Sequence, residues 1–126
     1  MLSEERKERN KKLLERLASF ASDVILLCQK LPKTIVNIPL IKQIVRSASS
    51  IGANYNEACE AESAKDFVHK IGITKKECKE TLFWLKLLET PKENEPYKNE
   101  LVRLAKEANE YVLLFSAIIV KFRVKR

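Results

Sequence analysis

Apolar residues recur along this chain at steps of three and four, which is the spacing of amphipathic α-helices. Four such stretches alternate with short polar or proline-containing segments, and they predict helices over residues 3–30, 38–61, 64–89 and 97–122. Four amphipathic helices of similar length joined by short loops are typical of an up-down-up-down four-helix bundle. Because 126 residues is the usual length of one domain, we expect a single all-α domain over residues 1–126.

Capping residues mark several ends of the predicted helices. Ser3 and Asn37 are candidate N-caps of the first and second helices, since their side chains can accept a hydrogen bond from a free backbone N–H. Ser63 followed by Asp66 resembles a capping box at the start of the third helix. The segment 90–96 (TPKENEP) is polar and contains two prolines, so it predicts a loop.

The predicted second helix has a polar face opposite its apolar stripe. Five polar residues form a row on this face at helical spacing: Gln43, Arg46, Ser50, Asn54 and Glu57. If the row is buried, Arg46 needs a carboxylate partner, because an unpaired buried charge is very costly. Glu60, Glu77 and Glu80 are candidates for that role. If the row is exposed, it is a solvated surface.

The third and fourth helices have more apolar residues than one bundle core requires. The run 111–120 (YVLLFSAIIV) is apolar on nearly all sides, and a helix of that kind is buried on all sides. In so small a protein, another subunit would have to cover it, so we expect a homo-oligomer. The alternative is a wide apolar stripe that one bundle covers alone. The candidate interface residues are Trp84, Leu113, Leu114, Ala117 and Val120.

The chain is basic, with a formal net charge of +7 and a pI of about 9.4. A basic surface favours nucleic acid, an anionic membrane surface or an acidic protein as partner. Lysines of the third helix surround Phe83, and such a surface can bind a phosphate backbone and stack a base. A solvated lysine-rich face and a frayed basic tail are the alternatives. The candidate nucleic-acid-binding residues are Lys65, Lys76, Lys79, Lys121, Arg123, Lys125 and Arg126.

Motifs of known catalytic or metal sites do not occur in the sequence. A glycine-rich phosphate loop, G-x-S-x-G, H-E-x-x-H and C-x-x-C are all missing. His69 is the single histidine and stands beside Lys70, which makes it a poor general base. Cys28, Cys59 and Cys78 are far apart, so we interpret them as buried free thiols. We therefore expect no enzyme activity, no metal and no cofactor.

The longest strongly apolar run is too short to cross a bilayer, because a spanning helix needs about 20 residues. The N-terminus (MLSEERKERNKK) is charged and has no apolar core of a signal peptide. We therefore expect a cytoplasmic protein with no membrane partner.

Two parts of the sequence resemble a known family. Residues 43–58 (QIVRSASSIGANYNEA) resemble the signature of the four-helix-bundle proteins called 23S ribosomal RNA intervening-sequence proteins. Residues 63–67 (SAKDF) and 79–85 (KETLFWL) resemble the third helix of the same family. The resemblance implies an up-down bundle that assembles as a barrel-like homopentamer. A related group, the accessory variability proteins of diversity-generating retroelements, comprises basic pentamers that bind a reverse transcriptase and nucleic acid.

The resemblance also bears on the polar row of the second helix. The Gln, Arg, Asn and Glu positions of the family signature correspond to Gln43, Arg46, Asn54 and Glu57, which favours a structural network over a solvated face. Many members have glycine where this chain has Ala58, so we expect its second helix to continue to about residue 61.

Taken with the basic charge, these features predict a non-enzymatic homo-oligomeric scaffold that binds structured RNA or an RNA–protein complex. The alternative is a protein-binding adaptor, such as the reverse-transcriptase accessory subunit of a diversity-generating retroelement, whose charge serves an acidic partner.

Overall fold

Four long α-helices make up most of the protein. The computed structural model describes residues 3–124, and within that range it contains no β-strand. The elements in chain order are α1 (Glu4–Lys30), α2 (Asn37–Cys59), α3 (Ala64–Leu87), a 3₁₀ helix (Lys92–Tyr97) and α4 (Lys98–Val124). The prediction of an all-α protein with four helices is confirmed, and each helix end lies within two residues of its predicted position. None of these helices is both long and apolar enough to cross a membrane.

Two of the predicted N-caps are confirmed. The Ser3 hydroxyl accepts a hydrogen bond from the backbone N–H of Arg6 at 3.1 Å, at the start of α1. The Ser63 hydroxyl accepts one from the backbone N–H of Asp66 at 3.1 Å, at the start of α3. Each bond satisfies a backbone donor that has no partner within the first turn of a helix.

The ends of α2 differ from the prediction. The side chain that accepts a hydrogen bond at its start is that of Thr34, which binds the backbone N–H of Asn37 at 3.0 Å. Asn37 is therefore not the N-cap but the first helical residue. At the other end, α2 stops at Cys59 because the backbone N–H groups of Glu60 and Ala61 bond three residues back, which tightens the chain into a turn.

The predicted loop 90–96 is also different, because residues 92–97 form a 3₁₀ helix. The side chain of Asn94 in this helix is fully buried and exchanges two hydrogen bonds with the buried amide of Asn37, at 2.7 and 2.9 Å. Asn94 also donates to the carbonyl of Leu88 at 2.8 Å. These bonds join the start of α2 to the connection between α3 and α4.

The helices enclose one apolar core and form a four-helix bundle. α2 packs against α1 and α3, and α3 also packs against α4, whereas α1 and α4 contact each other more loosely. An edge-to-face pair of the Phe20 and Tyr111 rings, 5.5 Å apart, joins α1 to α4. The fully buried core residues include Leu17, Phe20, Val24, Ile44, Ile51, Ile71, Leu85, Leu101, Leu104 and Phe115.

Small residues let α2 approach its neighbours closely. A Cβ atom built on Gly52 would lie 3.9 Å from the Cβ of Leu17 in α1. On the other side, the Thr81 hydroxyl of α3 donates to the buried Ser47 hydroxyl at 2.9 Å. The second contact joins α3 to α2 and helps to set the rotation of α3 about its axis, which decides which of its side chains face outward.

Candidate nucleic-acid interface

The outward face of α3 carries lysines and an exposed aromatic ring. The residues that α3 buries are Ile71, Thr74, Cys78, Thr81 and Leu85. Lys65, Lys76 and Lys79 lie away from this buried stripe and are exposed. Phe83 is also exposed, over 55% of its surface. The helical period places these side chains on one face because residues three, four and seven apart lie above one another.

A shallow cleft of about 420 Å³ runs along this face. The residues that line it are Gly72, Lys75, Lys76, Lys79, Glu80, Phe83 and Trp84. The structure thus brings two of the predicted phosphate-binding residues, Lys76 and Lys79, together with Phe83. It adds Lys75, which the sequence analysis did not include. The signal for Lys75 is its position beside Lys76 and four residues before Lys79, which places it at the edge of the same stripe.

The cleft is positively charged because its three lysines outnumber its one carboxylate, which is itself paired with an arginine. Glu80 accepts a hydrogen bond from the Arg46 guanidinium of α2, and Glu77 lies 3.5 Å from the same group. The hydrogen bond from Arg46 to Glu80, with the nearby charges, raises the pKa of Arg46 above its usual value. Within residues 3–124, the lining lysines form no salt bridge.

The exposed ring of Phe83 is supported from one side by Trp84. The two rings are 5.1 Å apart at an interplanar angle of 67°. Trp84 is partly buried and packs against the core, so it is held in place more firmly than a surface side chain. Its indole Nε1 is buried and has no hydrogen-bond acceptor in the part of the chain that the structure describes.

The polar row of α2 lies along the seam between α2 and α3. Its members are Gln43, Arg46, Ser50, Asn54 and Glu57. Two of its side chains reach α3, because Arg46 pairs with Glu77 and Glu80 while Glu57 lies 3.9 Å from Lys70.

The other members of the row bond within α2 or face solvent. The Asn54 side chain donates to the Ser50 carbonyl at 2.8 Å, and the Ser50 hydroxyl donates to the Arg46 carbonyl at 2.7 Å. Gln43 is exposed. The row is therefore neither buried nor simply solvated: it links two helices at a half-exposed seam.

The C-terminal basic candidates lie beside the start of α3. Lys121 and Arg123 are exposed in the last turns of α4. The ring of Phe122 packs against that of Phe67 at 5.0 Å, so these two cations share one end of the bundle with the start of α3, where Lys65 is exposed. The two remaining candidates lie outside the described residues: Lys125 and Arg126.

The predicted interface residues fall into two groups. Leu113 and Val120 of α4 are exposed over 61% and 56% of their surfaces, and Ala117 between them is exposed too. Leu114 and Trp84 are partly buried against the core of their own chain. The first group forms an apolar stripe on the outside of α4, which we call the α4 stripe (Leu113, Ala117 and Val120).

Cys28 and Cys78 are free and buried, as expected, whereas Cys59 is free but only partly buried. Burial raises the pKa of the Cys28 thiol to about 11 and that of the Cys78 thiol to about 12, and it also raises the pKa of Cys59. Thiols of this kind are protonated at neutral pH and are poor nucleophiles. Residues 3–124 contain no group of three or more His, Cys, Asp or Glu side chains that could hold a metal ion.

The fold and this face together define a small, basic, all-α four-helix-bundle protein. The sequence profile of the 23S rRNA-intervening sequence protein family matches residues 9–113, and the chain belongs to this family. The crystal structure of a protein from Bacteroides thetaiotaomicron VPI-5482, described as having unknown function and as belonging to the S23 ribosomal protein family, superimposes with a TM-score of 0.74. The two sequences are 32% identical over 87% of this chain and 96% of the other. No curated protein matches the chain significantly.

Proposed function

We propose that this protein is a non-enzymatic, homo-oligomeric scaffold that binds structured RNA, or an RNA–protein complex, through its basic surfaces. The observation that carries the proposal is the outward face of α3, where Lys75, Lys76 and Lys79 line one cleft with Phe83 and form no salt bridge among the described residues. Cations placed in this way neutralise phosphates and release their counterions, which drives binding. The link of the family to 23S rRNA intervening sequences is consistent with an RNA partner.

Assembly would strengthen such binding. The α4 stripe supports a homo-oligomer, since contiguous exposed apolar residues usually mark interfaces. The packing of helices in chain order, with a looser contact between α1 and α4, supports an up-down-up-down arrangement. A pentamer is the assembly that the family resemblance implies. Several copies of one weak phosphate-binding face would bind one RNA more tightly than a single copy does.

The test is a salt series with a fluorescently labelled RNA hairpin. We expect the logarithm of the association constant to fall linearly with the logarithm of salt concentration. Lys76→Ala with Lys79→Ala removes two phosphate contacts per subunit, so the slope falls by about 1.4 to 1.8 units for each subunit that contacts the RNA.

Lys11→Ala with Lys12→Ala is the matched control. It removes the same charge from exposed positions on α1, which packs against α2 and α4 rather than α3. An equal loss of slope in both double variants would contradict a specific role of the α3 face. No binding at low salt would reject RNA as the partner.

A protein-binding adaptor is the second candidate, for example an accessory subunit of a diversity-generating retroelement reverse transcriptase. Apolar side chains just before and at the start of α2 support it: Ile35 is exposed over 91% of its surface, and Val36 and Ile38 are exposed as well. Co-elution with a purified retroelement reverse transcriptase, lost in Ile35→Ser and retained in Lys11→Ala, would favour this function. It would do so most clearly if the hairpin does not bind.

A further inference from the structure

We infer that the cleft on α3 binds unpaired nucleotides, with one base stacked on Phe83 and the neighbouring phosphates bound by Lys76 and Lys79. The inference rests on the proposed function and deepens it, because it names the part of an RNA that this face recognises. The ligand class is a single strand, or the loop or bulge of a folded RNA.

The first argument comes from the aromatic ring. A phenylalanine with more than half of its surface exposed contributes little to the core of its own chain. Phe83 is nevertheless held in a defined position by its edge-to-face contact with Trp84, which packs against the core. A supported, exposed ring between lysines is the arrangement on which proteins stack bases of single strands.

The second argument comes from the spacing of the cations. Lys79 and Lys76 precede Phe83 by four and seven residues, which places them about 6 and 10 Å from the ring along the helix axis. Both lysines lie on the same face of α3 as Phe83, and both are exposed. Both precede the ring, so their flexible stems let the ammonium groups reach successive phosphates on one side of a stacked base. Arg46 pairs with Glu80 and therefore reduces, without removing, the repulsion between Glu80 and those phosphates.

The third argument comes from Gly72 at the other end of the cleft. Glycine inside a helix lowers helix stability relative to alanine, so it normally has a conformational or packing reason. Gly72 has neither: its φ is not positive, and a Cβ built on it would meet no atom within 4 Å. The empty space above Gly72 extends the cleft to about 16 Å along the helix axis from Phe83. Because no other part of the described chain fills this space, the absence of a side chain at Gly72 leaves room for a ligand.

Unpaired nucleotides fit this cleft better than a duplex. Bases within an A-form duplex are stacked on their neighbours, and its deep, narrow groove does not admit side chains. Bases in loops and bulges are free to stack on a protein aromatic ring. A cleft with one exposed ring and a short row of lysines therefore suits one or two splayed nucleotides.

The test uses the protein's single tryptophan as a reporter. Because Trp84 contacts Phe83, a base that stacks on Phe83 changes the emission of Trp84. The probes are a 12-nucleotide oligouridylate and a 12-base-pair RNA duplex, titrated into the intact protein. We expect the single strand to bind more tightly than the duplex and to change the Trp84 emission.

The variants separate stacking from folding. We expect Phe83→Leu to weaken binding of the single strand about tenfold, because it keeps an apolar side chain but cannot stack, whereas Phe83→Tyr keeps the wild-type affinity. Gly72→Glu places a carboxylate in the cleft, one turn from Lys76, and should weaken binding at least as much. Ala18→Glu adds the same charge at an exposed position of α1, outside the cleft, and is the matched control with unchanged affinity.

Wild-type affinity of Phe83→Leu for the oligouridylate, or unchanged Trp84 emission on binding, would overturn the inference. If the hairpin still binds with a steep salt dependence in that case, the proposed function stands without this site. If neither the hairpin nor the oligouridylate binds at low salt, both the inference and the proposed function fail.

Discussion

Asn37 and Asn94 lie 57 positions apart in the sequence and donate a hydrogen bond to each other's side-chain oxygen inside the bundle. Asn37 also donates to the Pro32 carbonyl at 2.9 Å, and Asn94 donates to the Leu88 carbonyl at 2.8 Å. Both residues are buried. The pair thus satisfies polar groups of two chain connections and joins them at one end of the bundle.

Removal of one member of this pair leaves buried polar groups of the other without a partner. We expect Asn94→Ala to lower the free energy of unfolding by about 2 to 3 kcal/mol, measured by urea denaturation. Asn99→Ala, at an exposed position of α4, is the control and should change it by less than about 0.5 kcal/mol. The double variant Asn37→Ala with Asn94→Ala should lose less than the sum of the single losses. Additive losses would contradict direct coupling of the two amides.

Glu80 is expected to matter more for RNA binding than for stability. Its partner Arg46 is half exposed, and such surface pairs contribute about 0 to 1 kcal/mol, so Glu80→Gln should destabilise the fold by less than about 1 kcal/mol. The same change removes a negative charge from the cleft and should raise RNA affinity about two- to fivefold, as anisotropy titrations would measure. Glu77→Gln is the control, since Glu77 pairs with the same arginine outside the cleft lining. Equal gains in both variants would argue against a local effect.

Ionisation of the buried thiols of Cys28 and Cys78 is expected to destabilise the protein at alkaline pH. Burial raises the pKa of Cys28 to about 11 and of Cys78 to about 12 from an ordinary value of 9.0, so the thiols ionise first in the unfolded chain. Their contribution to stability is therefore complete below pH 9 and is lost as the pH rises through 11 to 12. Each thiol lowers the free energy of unfolding by at most about 1.4 kcal/mol per pH unit.

Urea denaturation at pH 8, 9 and 10 measures this loss. Cys28→Ala with Cys78→Ala should show a smaller decline over that range than the wild type, whatever its absolute stability. Burial also raises the pKa of Tyr55 and Tyr111, so these tyrosines also contribute to the alkaline decline of the wild type. The effect of the thiols is therefore the difference between the decline of the wild type and that of the variant. An identical decline in the two proteins would refute the assignment to the thiols.

The α4 stripe is expected to be covered by another subunit. Leu113→Glu or Val120→Glu would bury a charge in that contact, so each should dissociate the oligomer, as sedimentation velocity would detect. Leu26→Glu introduces the same charge at an exposed apolar position of α1 and should leave the mass unchanged. If either α4 variant keeps the native mass in solution, this interface assignment is wrong.

The features that the sequence predicted well depend on neighbouring residues. The helices follow from the three- and four-residue spacing of apolar side chains, and the caps Ser3 and Ser63 act on backbone groups three residues away. Glu77 and Glu80 were candidate partners of Arg46 only for a buried row; Arg46 is half exposed, yet the structure places both carboxylates beside it.

The features that the sequence did not predict depend on how the helices are rotated and joined. Asn37 was interpreted as a cap because Asn often accepts a local hydrogen bond. Its side chain instead forms hydrogen bonds with Asn94, 57 residues away. Lys75 belongs to the cleft, and Trp84 is partly covered, because of the orientation of α3 against α2 and α4.

The sequence by itself therefore determined that this chain is helical, basic and built around one core, since periodicity and charge are properties of composition and order. The tertiary structure decided which lysines share a cleft with Phe83, which carboxylates are neutralised and which apolar residues of α4 remain exposed. Those properties arise only when side chains distant in sequence meet, because burial and pairing are set by distances between helices rather than along them.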